Sequence, residues 1–196
     1  KSIPLASQTF SKSAQNYVKG VSPLFIARGS GAHVWDPDDN QYIDYVLGCF
    51  PLTLGYSNEY VDNAISEQLK KGITFSMMHE VEVEFAKDLN EIIPCAEMVR
   101  YGKNGSDATT AAVRLARAVT KRDHVICFGY HGSADWYIGT TTRNLGVPKE
   151  VQDLTLEFQY NNIASLEAAF KSNPKEIAAV IMEPVYDKEP KNNFLK

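Results

Sequence analysis

The eleven residues Lys103–Val113, KNGSDATTAAV, follow an apolar run and open a long amphipathic helix. That is how a chain presents unpaired backbone N–H groups to a phosphate. Gly105 lets the backbone approach an oxyanion closely, Ser106 adds a hydroxyl donor, and the helix behind them supplies the positive end of its macrodipole. Asn104 either bonds the held group or caps the helix, and an ordinary N-capped core helix also accounts for these residues. Two more groups fall where open α/β sheets bind ligands, beyond the carboxyl ends of strands. HVICFG, His124–Gly129, reads as a buried strand running into Tyr130, His131 and Gly132, and EIAAVIMEPV, Glu176–Val185, reads as another ending in Glu183, fixed by Pro184. A phosphate turn, an aromatic ring, an imidazole and a carboxylate thus converge.

The elements that must position them follow from periodicity. Ala108, Ala111, Ala112, Leu115, Ala116 and Val119 recur at i, i+3, i+4 and i+7, which predicts that this alanine-rich face packs closely on a sheet. Val61, Ala64, Ile65 and Leu69 mark a helix over Glu59–Lys70, and Val81, Phe85, Leu89 and Ile92 mark another over Val81–Ile92. Glu97–Gly102 is expected as a strand feeding the phosphate helix, and Ile163–Lys171 as a helix before the Glu183 strand. Alternating strands and helices predict an α/β fold with a parallel sheet. Residues 1 to about 30 lack periodicity and are expected as an irregular arm with a short helix. His33–Tyr45 alternates around Asp-Pro-Asp-Asp-Asn, predicting a hairpin of Val34–Trp35 and Tyr42–Tyr45. Asp36, Asp38 and Asn40 in its turn mimic the start of a calcium loop. Gln41 stands where the sharp-turn glycine belongs and Leu47 where the bidentate glutamate belongs, so calcium is rejected.

With 44% hydrophobic residues, 196 residues suffice for a substantial core. A net charge of −4 with acids and bases interspersed argues against nucleic acid or an anionic membrane as the main partner. No apolar run approaches the ~18 residues of a membrane span. Cys49, Cys95 and Cys127 are odd in number and form no CxxC pair, which disfavours a disulfide frame or zinc site and fits a cytoplasmic protein. A serine hydrolase using Ser106, His131 and Asp135 fails, because Ser106 lacks the GxSxG elbow and Asp135 lies only four residues past the histidine.

The segments WDPDDNQYIDY, NGSDAT, FGYHG and IMEPV occur in one order, and in this the chain resembles the fold-type I, class III pyridoxal-phosphate aminotransferases, especially glutamate-1-semialdehyde 2,1-aminomutase and its aminotransferase relatives. The resemblance spans roughly residues 17 to 184. It implies a three-layer αβα large domain with a mostly parallel sheet over 57–196, incomplete here, preceded by an arm and small-domain hairpin over 1–56. It also implies chains about twice as long, so that this one is an amino-terminal portion, and a homodimer.

By the same resemblance pyridoxal 5'-phosphate is the cofactor. Its phosphate rests on Gly105 and Ser106 with Asn104 alongside, Tyr130 stacks on its ring, Glu183 lies beside it, and His131 acts as scaffold. The lysine that forms the Schiff base and the aspartate facing the ring nitrogen are expected beyond Lys196. Lys103, at a strand end beside the phosphate turn, is read as solvated rather than nucleophilic. The resemblance further implies a small-molecule amino donor and carbonyl acceptor.

Some positions depart from the aminomutases. Phe25 stands where their carboxylate-binding arginine is expected after Ser22 and Pro23, leaving Arg28 as the nearby substitute. Cys49, Phe50 and Pro51 replace Trp-Gly-Pro, and Thr74–Met77 replaces Ser-Phe-Gly-Ala, which makes the pocket bulkier and places Phe50 at the substrate. EPVYDKEP lacks the asparagine that bonds the ring hydroxyl. The segment after Tyr137 is short for a mobile lid, which favours ordinary transamination over the aminomutase reaction. A non-catalytic cofactor-binding half is the alternative from another class.

Overall fold

The computed structural model describes residues 2–185 and 187–196, and the part of the EPVYDKEP comparison that falls on Tyr186 lies outside the described residues. The chain forms two compact units, dividing between Glu84 and Phe85.

In the first unit, strands β1 (Arg28–Ser30), β2 (His33–Trp35) and β3 (Gln41–Ile43) form an antiparallel meander in that order. The predicted hairpin is present. Its arm contributes a third strand, where the sequence offered only irregular chain. The buried Asp36 carboxylate organises the β2–β3 turn by accepting from the Asp38 and Asn40 amides, the Asn40 side chain at 3.0 Å and the Tyr42 hydroxyl at 3.0 Å. Led by the Asn40 side chain, these donors hold the Asp36 carboxyl below its usual value. The arm carries three single 3-10 turns rather than a helix. Helix α1 (Glu59–Lys71) starts on Asn58, whose side chain accepts from the Val61 amide. Helix α2 (Glu80–Ile92) carries the chain across the division.

The second unit contains α3 (Gly105–Thr120), β4 (His124–Phe128), α4 (Asp135–Ile138), α5 (Lys149–Asp153), β5 (Thr155–Glu157), α6 (Ile163–Ser172) and β6 (Ile177–Met182). Its parallel sheet has the order β5-β4-β6, with Ile126 opposite Leu156 and Val180. Successive β4 side chains point to opposite faces. Val125 and Cys127 pack with Val113 of α3 and with Trp136 and Tyr137 of α4, whereas Ile126 packs with Phe158, Ile177 and Phe194, against Leu166 and Ala169 of α6. The sheet is therefore covered on both sides, the three-layer α/β arrangement, and this is why HVICF reads as a continuous apolar run.

Three expectations are corrected. Glu97–Gly102 is not a strand, and no described strand supplies the ladder it would need. The sequence pattern also missed β5 and the short helices α4 and α5, which are too brief for periodicity to register.

The third correction concerns which face of α3 is inward. The predicted alanine-rich stripe is mostly exposed, Leu115 at 65% and Val119 at 74%. The covered stripe is instead Ser106, Thr109, Thr110 and Val113, which has the same i, i+3, i+4, i+7 spacing displaced by two residues, or about 200° around the helix. The hydroxyls on that stripe have hydrogen-bond partners in the second unit, and those bonds orient the helix.

Candidate cofactor site

Helix α3 begins with a reciprocal cap. The Asn104 side chain accepts from the Asp107 amide at 3.0 Å, and the Asp107 carboxylate accepts from the amides of Lys103 and Asn104. The Asn104 oxygen is thus spent on the helix. Gly105 and Ser106, the next two residues, direct their amides out of the first turn, where no intrahelical carbonyl can meet them. A side chain built at Gly105 would meet nothing within 4 Å, so an oxyanion can approach that turn.

Three side chains of the covered stripe tie α3 to the loop after β4. Ser106 Oγ accepts from the Ser133 amide at 3.0 Å, Thr109 Oγ1 donates to the His131 carbonyl at 2.9 Å, and Trp136 Nε1 donates to Thr110 Oγ1 at 3.1 Å. The approach is close enough that a methyl group on Gly132 would overlap Ser106 Oγ, and Gly132 has φ of +104°, which strongly favours glycine. Between helix and loop lies an open cleft of about 770 Å³, lined by Asn104, Gly105, Ser106, Tyr130 and His131 among others. No lysine lines it.

His131 is buried, with Nε2 2.8 Å from the Phe128 carbonyl and its ring stacked on Trp136 at 6.0 Å. It braces the loop. Tyr130 is 69% exposed and meets Tyr137 edge-on at 5.8 Å. Burial, then the acidic groups around it, pushes the Tyr137 phenol above its ordinary value. Burial likewise pushes the Cys127 thiol up to about 12, with Glu157 adding to the effect. The half-buried Glu183, just past β6, accepts from the Tyr130 amide at 3.1 Å through Oε2.

The structure therefore brings Asn104, Gly105, Ser106, Tyr130 and His131 to one cleft and joins Glu183 to it through Tyr130. The sequence reading overlooked Thr109, Thr110, Ser133 and Trp136. Their signal was present as three hydroxyls at Ser106, Thr109 and Thr110 on one helical face, eclipsed by the alanine stripe. Arg28 and Phe50 belong to the first unit. The Arg28 guanidinium pairs with Asp39 at 3.1 Å and lies 4.0 Å over the Trp35 ring, contacts that lie within the hairpin unit. Phe50 is 74% exposed in a turn with φ of +75°.

Residues 14–188 match the family model described as aminotransferase class-III. The chain belongs to the class III aminotransferase family. This class III chain is 39% identical to glutamate-1-semialdehyde 2,1-aminomutase of Sulfurihydrogenibium azorense, over 92% of the chain and 48% of that protein. It is 38% identical to 3-aminobutyryl-CoA aminotransferase of Cloacimonas acidaminovorans, over 87% of the chain and 41% of that protein. Among solved structures it resembles a variant glutamate-1-semialdehyde aminomutase of Pseudomonas aeruginosa in complex with PMP, with a TM-score of 0.70 and 28% identity, over 84% of the chain and 38% of that structure. The chain spans less than half the length of the curated relatives it matches. Among the described residues no helix is long and apolar enough to cross a membrane.

Proposed function

We propose that the complete protein is a pyridoxal-phosphate-dependent aminotransferase that moves an amino group between a small amino donor and an aldehyde or keto acceptor. The observation that carries this reading is the Ser106–Ser133 bond, which locks a phosphate-competent helix start to the loop bearing an exposed aromatic ring. The residues fit the cofactor: the amides of Gly105 and Ser106 and the Ser106 hydroxyl donate to its phosphate, and Gly105 leaves room for it. PMP, held by the solved relative, is the aminated form of the same cofactor. When bound, pyridoxal phosphate supplies the conjugated electron sink that amino transfer requires.

Within this chain the α3 turn anchors, Tyr130 stacks on the ring, and His131 keeps the stacking loop in place from behind. Asn104 serves the helix cap, so its contribution is to hold the turn. The three free cysteines fit a reducing cytoplasm, and a homodimer belongs to the same proposal. A second reading, a 2,1-aminomutase, is favoured by the similarity to enzymes of that name. The apolar Phe25 weighs against it. The test is a titration of the complete protein with pyridoxal 5'-phosphate followed by amino-transfer assays over a panel of donors and acceptors. Saturable binding with amino transfer is expected, and absence of binding overturns the proposal.

A further inference from the structure

The Glu183 carboxylate is held against the loop that carries Tyr130, and its contacts there are with backbone. Oε2 accepts from the Tyr130 amide at 3.1 Å, and the side chain lies so close to Gly129 that a methyl group on that residue would overlap it. Gly129 has φ of +92°, so the turn between β4 and Tyr130 needs a conformation that glycine adopts freely. Tyr130 is 69% exposed and its ring meets Tyr137 edge-on, so packing leaves most of the residue's surface open. Its backbone is held by Glu183, just past β6, while Thr109 holds the next residue from α3.

We propose that Glu183 is a positioning residue that acts on the cofactor through Tyr130: by fixing the Gly129–Tyr130 turn it sets the tilt at which the tyrosine ring stacks. The proposal rests on the reading that this cleft binds pyridoxal phosphate. A hydrogen bond from a backbone amide to a carboxylate suits this task, being directional and independent of the side chain at position 130. It also assigns separate tasks to the carboxylate and the phosphate turn. Losing Glu183 should disturb the ring and leave the phosphate anchored.

The experiment is a double-mutant cycle in the complete protein, reading the dissociation constant of pyridoxal 5'-phosphate and the visible circular dichroism of the bound cofactor. Glu183→Ala should weaken binding about tenfold and reduce the dichroism per bound cofactor, the effect of losing a charged acceptor for one amide. In a Tyr130→Ala background the same substitution should change affinity less than about twofold, because the ring it positions is gone. Glu183→Gln retains a carbonyl acceptor and should restore most of the dichroism. Additive losses in the cycle, or a Gln variant as impaired as Ala, would overturn the proposal by showing that the charge acts on the cofactor directly. Unchanged dichroism in Glu183→Ala would overturn it as well. Failure of the underlying reading looks different: the unmodified protein and Tyr130→Ala would then show the same absence of saturable binding. Should Glu183→Ala not fold, Glu183→Gln in both backgrounds completes the cycle, with near-full dichroism alongside Tyr130 expected and loss equal in both backgrounds overturning it.

Discussion

Ser106 Oγ accepts a hydrogen bond from the backbone amide of Ser133 at 3.0 Å, so one hydroxyl group joins the start of α3 to the loop after β4. The hydroxyl proton remains available to a phosphate, which lets the same side chain bind and brace. Ser106→Ala therefore removes two contacts. It should weaken pyridoxal phosphate by about 1–3 kcal/mol and leave the Ser133 amide without its acceptor. A titration of the variant checks this, and unchanged affinity would remove Ser106 from the site.

Cys127 lies in β4, 1% exposed, with its thiol pushed up to about 12 by burial. The thiolate is the reactive form, so alkylation of the native protein near pH 8 should modify Cys127 at least about a hundredfold more slowly than exposed Cys49. Peptide mapping after timed alkylation gives the ratio. Comparable rates would mean that the β4 core opens readily.

In the first unit the Tyr56 hydroxyl donates to Asp44 at 2.6 Å, and this bond, with burial second, pushes the phenol up to about 12. A folded pKa raised above the ordinary 10 gives stability that is fully present below pH 10 and is lost as pH rises through about 12. The meander should loosen between those values. In Tyr56→Phe that alkaline step should disappear, with a lower melting temperature already at neutral pH. Melting curves across the alkaline range test both statements.

Phe25 is 68% exposed and borders an apolar groove of the first unit with Tyr17, Leu24 and Tyr45. An aromatic ring cannot pair with a carboxylate, so glutamate-1-semialdehyde should be a poor substrate and Phe25→Arg should improve its kcat/KM. Efficient turnover by the unmodified complete protein would contradict this.

Replacing Ile126 with alanine removes a side chain with no solvent exposure from the centre of the sheet and should cost about 2–5 kcal/mol. Denaturant unfolding gives the value. A loss below about 1 kcal/mol would imply that the second core face closes over the gap.

Elements whose signals are local were legible in the chain. Asn104 through Ser106 mark a helix start because capping and glycine chemistry act within a few residues. HVICF marks a strand covered on both sides because both of its faces are apolar, and IAAVIM is legible as a strand from the same continuous apolar run. The turn at Asp36–Asn40 is legible for the same reason, its donors and acceptor being close neighbours in the chain. Contacts between distant parts of the chain settled the rest. Two stripes of identical period run along α3, and periodicity cannot say which is inward; hydrogen bonds from Ser106, Thr109 and Thr110 to residues more than 20 positions away select the hydroxyl stripe. Glu97–Gly102 has strand-like composition, but a strand exists only where another offers it a ladder. The contact of Glu183 with the Tyr130 amide spans 53 residues, and it forms because parallel pairing of β4 with β6 brings their carboxyl ends together.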